Sequence, residues 1–157
     1  MVGSNSVTSA EDQSLLTSSN RIVSIVDDES DITVLFGDAL SRIEGITIFT
    51  FTDPTLALKH FQEFDYAYVL VISDFKMEGL DGFELLKSIK DGNPFVRTIL
   101  ITAAFRFDNK IFQEYIKKKI INGFIQKPIS LHDFLKEVDT QLKLYETQKR
   151  YPFNRVI

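Results

Sequence analysis

Five side chains in this sequence could together bind a phosphoryl group and a divalent cation, and each stands at the end of a short apolar run. In chain order they are Asp27, Asp28, Asp74, Thr102 and Lys127. If the apolar runs are parallel strands, the five residues emerge at one edge of one sheet, because the carboxyl ends of parallel strands lie together. The sequence therefore predicts a cluster of acids, a hydroxyl and an ammonium drawn from distant parts of the chain.

Carboxylates in such a cluster repel one another and raise each other's pKa unless a cation lies among them. Mg²⁺ suits this arrangement, because it prefers oxygen ligands and typically takes one or two carboxylates together with a substrate phosphate. Asp27, Asp28 and Asp74 would meet at such an ion if the first and third strands are neighbours. Thr102 and Lys127 could then hold the remaining phosphoryl oxygens.

Each of these residues also has an ordinary structural explanation when it is considered alone. Asp27 and Asp28 could cap the following helix, Asp74 could begin a turn, and a Lys-Pro pair is common on protein surfaces. Matches at the ends of four successive apolar runs are hard to reach by accident. A joint site is therefore the preferred interpretation.

The apolar pattern from Arg21 onward predicts the elements that must position these residues. Five short apolar runs alternate with five helical patterns, which is typical of an α/β fold with a parallel sheet. The second strand is predicted from Ile46 to Phe51. The helices are predicted from about Ser30 to Ile43, after Asp53-Pro54, after the loop from Met77 to Gly82, from about Asp108 to Lys119, and from near Ser130 to about Lys149.

Three regions follow from composition and periodicity. Residues 1–20 are rich in Ser, Thr and Asn and predict a disordered N-terminal tail. Residues 21–141 form the predicted domain, and residues 142–157 are predicted to extend the last helix and end in a C-terminal tail. The apolar closing segment, 151–157, is open to two interpretations: it folds back on the domain or it meets a partner.

The bulk composition excludes several classes of protein. A length of 157 residues fits one globular domain with short extensions, and the net charge of −4 argues against a general nucleic-acid binder. No apolar run approaches the length of a membrane span. The chain has no cysteine, which excludes disulfides and thiolate metal sites and fits a reducing cytoplasm. Two histidines, His60 and His132, argue against a histidine-rich metal site.

The motifs that carry the five side chains resemble those of response-regulator receiver domains of two-component signalling. They read IVDDES, VISDFKMEGLDGFELL, ILITAA and FIQKPIS, and the resemblance runs from about Arg21 to Gln141. It implies a flavodoxin-like (βα)5 fold whose five parallel strands follow the order 2-1-3-4-5. It also implies a Mg²⁺-dependent signalling module, not an enzyme with turnover, which catalyses only its own phosphorylation and slow self-dephosphorylation.

The resemblance assigns the residues that would hold the phosphoryl group and the ion. Asp74 resembles the phosphoacceptor, which receives its phosphoryl group from a sensor histidine kinase or a phosphotransfer protein. Asp28 resembles a direct Mg²⁺ ligand, Asp27 an acid that acts largely through water, and the main-chain carbonyl of Lys76 the third protein ligand. Lys127 resembles the lysine that neutralises the phosphoryl charge.

A second group of residues matches the family's switch. Thr102 resembles the hydroxyl residue that moves toward the phosphoryl group, and Phe124 the aromatic that then turns inward. Pro128 matches a proline that is usually cis-linked. The repacked surface of the fourth helix, fifth strand and last helix would signal to a downstream protein, pass phosphate along a relay or pair two copies into a homodimer.

Two positions depart from the family pattern. Glu78 follows Met77 where proline is usual, so the resemblance does not imply a stiff loop at this point. Ala104 stands where a side chain would orient the attacking water. This predicts a longer-lived phosphoryl group than in fast chemotaxis-type members. A hydrolysis half-life that is unchanged in Ala104→Glu would contradict the prediction.

Three other functions are alternatives to the phosphoacceptor. A pseudo-receiver would use the same fold as a docking module that phosphorylation does not regulate, but the set of site residues is intact. A Mg²⁺-dependent phosphatase would place a general acid two residues after its nucleophile, where this chain has Lys76. A DNA-binding regulator is disfavoured because no room remains for a helix-turn-helix unit. The expectation is therefore a stand-alone receiver without an output domain.

Overall fold

The computed structural model describes residues 21–103 and 109–150, and within them strands and helices alternate along the chain. The strands are β1 Arg21–Val26, β2 Ile46–Phe51, β3 Tyr68–Asp74, β4 Arg97–Thr102 and β5 Gly123–Gln126. The helices are α1 Ser30–Leu40, α2 Pro54–Phe64, α3 Gly82–Gly92, α4 Lys110–Lys117 and α5 Leu131–Arg150. A short 3₁₀ helix, Asp65–Ala67, precedes β3.

The five strands form one parallel sheet in the order β2-β1-β3-β4-β5. This confirms the predicted flavodoxin-like α/β fold and its strand order. The order reverses at β1, because the chain first adds β2 on one side and then returns to add β3 on the other. Ligands of doubly wound sheets bind outside the carboxyl ends of the strands at this point.

Two apolar layers cover the two faces of the sheet. One contains Phe61 of α2, Leu86 of α3 and Phe112 of α4, and the other contains Phe36 of α1 and Phe134 of α5. All seven residues of β3 are buried, as expected for a central strand covered on both faces. Each fully buried large apolar side chain stabilises the fold by roughly 1.5–3 kcal/mol relative to an exposed one.

Capping side chains fix where two helices begin. Asp53 accepts a hydrogen bond from the Thr55 amide at 2.9 Å, directly before Pro54 in the first turn of α2. Asp81 and Glu84 form a reciprocal capping box at the start of α3. These caps orient the loops that carry the chain away from the carboxyl edge of the sheet.

Two helices are shorter than predicted. Helix α1 ends at Leu40 and not at Ile43, and a turn through Gly45, with φ of 82°, carries the chain into β2. Helix α4 ends at Lys117, because Lys119 adopts a left-handed backbone with φ of 61°. Periodicity missed both ends because Ile43 and Ile120 continue the apolar pattern after the helical backbone stops.

Helix α5 continues past the predicted domain boundary at residue 141 and is fastened to the sheet along its length. Glu146 forms an ion pair with Arg21 at 2.8 Å, and Gln148 accepts a hydrogen bond from Arg97 at 3.2 Å. The predicted tail at residues 1–20, the closing segment 151–157 and Ala104 lie outside the described residues. Within residues 21–103 and 109–150, no helix combines the length and apolarity needed to cross a membrane.

Candidate functional site

The carboxyl ends of four strands bring the five predicted site residues to one edge of the sheet. Asp27 and Asp28 follow β1, Asp74 ends β3, Thr102 ends β4 and Lys127 follows β5. An open cleft of about 770 Å³ lies at this edge and includes four of the five in its lining, all except the buried Asp27. The side chains are therefore grouped around one space that a small anion could enter.

The three aspartates form a compact acidic cluster. Each offers an oxygen, and these oxygens lie within 4.8 Å of one another. Asp27 is only 2% exposed. Its Oδ1 accepts a hydrogen bond from the Glu29 amide at 2.9 Å, whereas its buried Oδ2 has no hydrogen-bond partner. A buried carboxylate oxygen without a donor beside two further carboxylates is a donor set that fits a hard divalent cation.

The electrostatics of the cluster also favour a bound cation. Burial raises the pKa of Asp27 to about 6, and the charge of Asp74 adds to this effect. The Glu29 amide and the charge of Lys127 oppose it. Burial also raises the pKa of Asp74, again against the influence of Lys127. The ionised form of the cluster is thus under-compensated by the protein alone, and a cation would lower both pKa values.

Lys127 supplies the only side-chain ion pairs to these acids among the described residues. Its Nζ lies 3.1 Å from Asp74 Oδ1 and 4.0 Å from Asp27 Oδ2. Burial alone would lower the pKa of Lys127, but the hydrogen bond to Asp74 and the nearby carboxylates outweigh it and raise the pKa. The peptide bond between Lys127 and Pro128 is cis, as the resemblance implied.

The strand ends are held together by backbone hydrogen bonds across the site. The amide of Phe75 donates to the carbonyl of Ile101 at 2.8 Å, and the amide of Lys127 donates to the carbonyl of Thr102 at 2.8 Å. These bonds continue the sheet by one residue beyond β3 and β5. They set the positions from which Asp74 and Lys127 face each other.

Gly82 closes the loop after Asp74, within the motif VISDFKMEGLDGFELL. Its amide donates to the Phe75 carbonyl at 2.7 Å. A Cβ at this position would lie 2.6 Å from the Asp74 carbonyl oxygen and 2.9 Å from the Phe75 Cα, so only glycine fits. The sequence analysis also missed the Glu29 amide, which donates to Asp27. The position of Glu29 directly after the two acids could have indicated this role.

The predicted switch residues lie on neighbouring strands and on the same face of the sheet, because Phe124 is the register partner of Leu100 and Thr102 lies two residues after Leu100. Thr102 is buried and lines the cleft. Phe124 is 37% exposed and its ring meets Phe112 of α4 edge-on, with ring centroids 5.2 Å apart. Lys76 lines the cleft as well, at the position predicted to offer its main-chain carbonyl.

Comparison with known proteins agrees with this geometry. The family model described as "Response regulator receiver domain" matches residues 23–139. Over 129 residues the chain is 28% identical to the DNA-binding transcriptional regulator NtrC of Escherichia coli (strain K12) and 29% identical to that of Salmonella typhimurium. In both cases the match covers 82% of this chain and 26% of the relative, so the chain spans about a quarter of those proteins.

Solved structures show the same architecture. A response regulator receiver domain protein from Clostridium thermocellum is 26% identical, with a TM-score of 0.71 over 81% of this chain and 98% of that one. NtrX from Brucella abortus is 27% identical, with a TM-score of 0.70 over 83% of this chain and 29% of that one. The matched segment contains all five clustered side chains. By this match and by its fold, the chain belongs to the response regulator receiver domain family.

Proposed function

We propose that this receiver domain is a phosphoacceptor, which takes a phosphoryl group on Asp74 from a histidine of a sensor kinase or phosphotransfer protein in a Mg²⁺-dependent reaction. The observation that carries the proposal is the placement of Lys127 Nζ 3.1 Å from Asp74 Oδ1, beside two further carboxylates. An acceptor carboxylate, an adjacent fixed cation and an acidic cluster are the groups that phosphoryl transfer to a carboxylate requires.

The acidic cluster would hold the metal. Asp28, Asp74 and the main-chain carbonyl of Lys76 would be direct ligands, and Asp27 would act largely through water. When bound, Mg²⁺ neutralises the crowded carboxylates and stabilises the charge on the phosphoryl oxygens. The Oδ2 of Asp27, which accepts no hydrogen bond, and the raised pKa of that carboxyl support this assignment.

In the transfer, a carboxylate oxygen of Asp74 attacks the phosphorus of the partner's phosphohistidine. An O–P bond forms as the N–P bond breaks, and the imidazole nitrogen leaves with the bonding electrons. The Lys127 ammonium neutralises charge on the transferred group, and the Thr102 hydroxyl donates to a phosphoryl oxygen. Water later cleaves the acyl phosphate, which restores Asp74 and releases inorganic phosphate.

Signalling would follow from the two switch residues. Movement of Thr102 toward the phosphoryl group leaves space into which Phe124 can turn, since the two side chains lie on neighbouring strands and on the same face of the sheet. Phe124 packs against Phe112 of α4, so its rotation changes the surface of α4, β5 and α5. That surface would bind a downstream protein or a second copy in the cytoplasm, or the domain would pass its phosphate along a relay.

Incubation with Mg²⁺ and a small acyl-phosphate donor tests the proposal. Intact mass measurement should show one added phosphoryl group on the wild-type protein and none on Asp74→Asn. Asp91→Asn, an exposed aspartate on α3, is the matched control and should still gain the group. A wild-type protein that gains no mass at any donor concentration would instead indicate a pseudo-receiver. Steady release of inorganic phosphate without an accumulating adduct would indicate a phosphatase.

A further inference from the structure

A second polar cleft lies at the opposite edge of the sheet, where β4 begins. It has a volume of about 400 Å³, and its cationic lining residues are Lys90, Arg97, Lys118 and Lys119. No acidic residue is among the described residues that line it. This concentration of positive charge occurs in a chain whose net charge is −4. Arg97 and Thr102 are the two ends of β4, so the cleft is separated from the acidic cluster by the length of that strand.

Lys90 reaches the cleft from α3 and is held by neutral groups only. Its Nζ donates to the Val96 carbonyl at 2.7 Å, to Asn122 Oδ1 at 2.8 Å and to the Pro94 carbonyl at 3.3 Å. Burial lowers the pKa of Lys90 to about 7, and the charge of Arg97 adds to this. The ammonium is therefore oriented but not neutralised, and an anion in the cleft would favour its charged form.

Arg97 is positioned in a similar way by α5. Its Nε donates to Gln141 Oε1 at 2.9 Å, and its Nη1 donates to Gln148 Oε1 at 3.2 Å. These partners are amides, and the carboxylate that acts on the guanidinium electrostatically is Glu137. Gln148 lies beyond residue 139, where the family match ends, so this wall of the cleft is not implied by family membership.

Two lysines after α4 complete the positive lining. Lys118 pairs with Glu114 at 3.0 Å on the exposed surface. Lys119 is the only non-glycine residue with positive φ among residues 21–103 and 109–150. Glycine and asparagine suit that backbone better than lysine, so what lysine adds at this position is its charge. The four basic side chains of the lining outnumber the two nearby carboxylates, Glu114 and Glu137, which leaves a local excess of positive charge.

We propose that this cleft, termed here the basic cleft, binds a small multivalent oxyanion such as a phosphate or a polycarboxylate. Its volume suits a small molecule, and the guanidinium of Arg97 has N–H groups beyond those bound to Gln141 and Gln148 that can donate to an oxyanion, while Lys90 adds nearby positive charge. Lys119 adds a further positive charge to the lining. Asn122 links the basic cleft to the sheet, because its Oδ1 accepts from both Lys90 and the Thr98 amide.

Titration of the metal-free protein with inorganic pyrophosphate and, in a separate arm, with citrate tests the proposal. Sodium chloride holds the ionic strength constant, since screening would otherwise mimic binding. Amide NMR shifts should saturate with at least one probe and centre on Val96, Lys119 and Asn122. The tighter-binding probe distinguishes a phosphate from a carboxylate ligand.

Lys119→Asn provides the decisive variant, because asparagine tolerates the left-handed backbone while it removes the charge. It should unfold at a temperature no lower than wild type, yet bind the probe roughly three- to tenfold more weakly. Lys117→Gln removes the same charge from an exposed residue outside the cleft and should leave the dissociation constant unchanged. Shifts that do not saturate, shifts centred elsewhere, unchanged affinity in Lys119→Asn, or equal weakening by Lys117→Gln would each overturn the proposal.

Discussion

Asp27 illustrates at the scale of one residue how the proposed chemistry and the stability of the fold oppose each other. It is buried, it faces Asp74, and one of its oxygens has no hydrogen-bond partner. Its pKa rises from 3.8 to about 6 on folding, so between these values the folded protein binds more protons than the unfolded chain. The stability of the metal-free protein therefore falls as the pH rises through this window, and it stays lower above pH 6.

Asp27→Asn should consequently stabilise the metal-free protein at pH 7.5, by about 1–3 kcal/mol, because the buried charge is removed. Urea denaturation with and without Mg²⁺ measures the effect. Saturating Mg²⁺ should stabilise the wild type more than the variant and so reduce the difference. Asp38→Asn removes an exposed charge from α1 and should run parallel to wild type across pH. If Asp27→Asn is less stable than wild type in the absence of metal, the buried charge of Asp27 does not destabilise the fold.

His60 is a buried titratable group that the proposed function does not use. Its Nδ1 lies 2.6 Å from the Tyr68 hydroxyl, and the rings of Phe49, Phe51 and Phe64 surround it. Burial lowers the pKa of His60 from 6.5 to about 4. Between these values the unfolded chain binds more protons, so the stabilisation is complete above pH 6.5 and is lost as the pH falls.

Acidification from pH 7.5 to pH 5 should lower the free energy of unfolding of the wild type by about 2 kcal/mol through the protonation of His60 in the unfolded chain. His60→Gln should be less stable at pH 7.5, because packing is lost, but its stability should decline less on acidification. His132→Gln removes the other histidine from an exposed position and should follow the wild-type curve. Equal acid sensitivity in His60→Gln and wild type, measured by urea denaturation at each pH, would rule out a titrating His60.

At the scale of elements, the sequence predicted most of what positions the site. Alternating apolar runs and helical patterns were enough to place the strands, because a strand buried on both faces, such as β3, leaves a long apolar run. The helix ends at Leu40 and Lys117 were missed, since apolar residues beyond them still pack on the core. The order of the strands came from resemblance, because periodicity carries no information on which strands are neighbours.

The sequence predicted which side chains form the site, but it did not predict the main-chain groups that hold them in place. The acids and Lys127 could be identified because a Mg²⁺ and phosphoryl site needs carboxylates and a cation, and these residue types stand at the ends of the predicted strands. The donor to Asp27 is a main-chain amide, that of Glu29, and any residue could supply it. The assigned roles of Asp74, Thr102 and Phe124 stay predictions until the phosphoryl group is observed.

Gly82→Ala tests the support that the loop gives to the acceptor. The added Cβ would meet the backbone of Asp74 and Phe75, which cannot move as a flexible side chain would. We expect a loss of about 1–3 kcal/mol in unfolding free energy and slower phosphorylation by the acyl-phosphate donor. Gly37→Ala in α1 is the control, because its Cβ would meet only a Thr50 methyl group, at 3.2 Å. Unchanged stability and phosphorylation rate in Gly82→Ala would mean that the close packing of this loop does not support Asp74.

At the scale of the whole molecule, α5 connects the two polar edges of the sheet. Leu131 lies near the carboxyl edge, shortly after Lys127, whereas Gln148 reaches the basic cleft at the other edge. The helix buries Phe134 and Val138 on the sheet, and it continues with Leu142 in the same apolar layer. Residues 142–150 are therefore packed on the domain and not merely appended to it.

Leu142 and Leu144 offer a matched pair with which to test this packing, since they lie two residues apart in the same helix. Leu142 is 9% exposed and Leu144 is 42% exposed. Leu142→Ala should lower the free energy of unfolding by about 2–3 kcal/mol, because it leaves a cavity beneath α5. Leu144→Ala should change it by no more than about 0.5 kcal/mol. Equal small effects of the two substitutions in urea denaturation would mean that the helix beyond residue 141 contributes little to the fold.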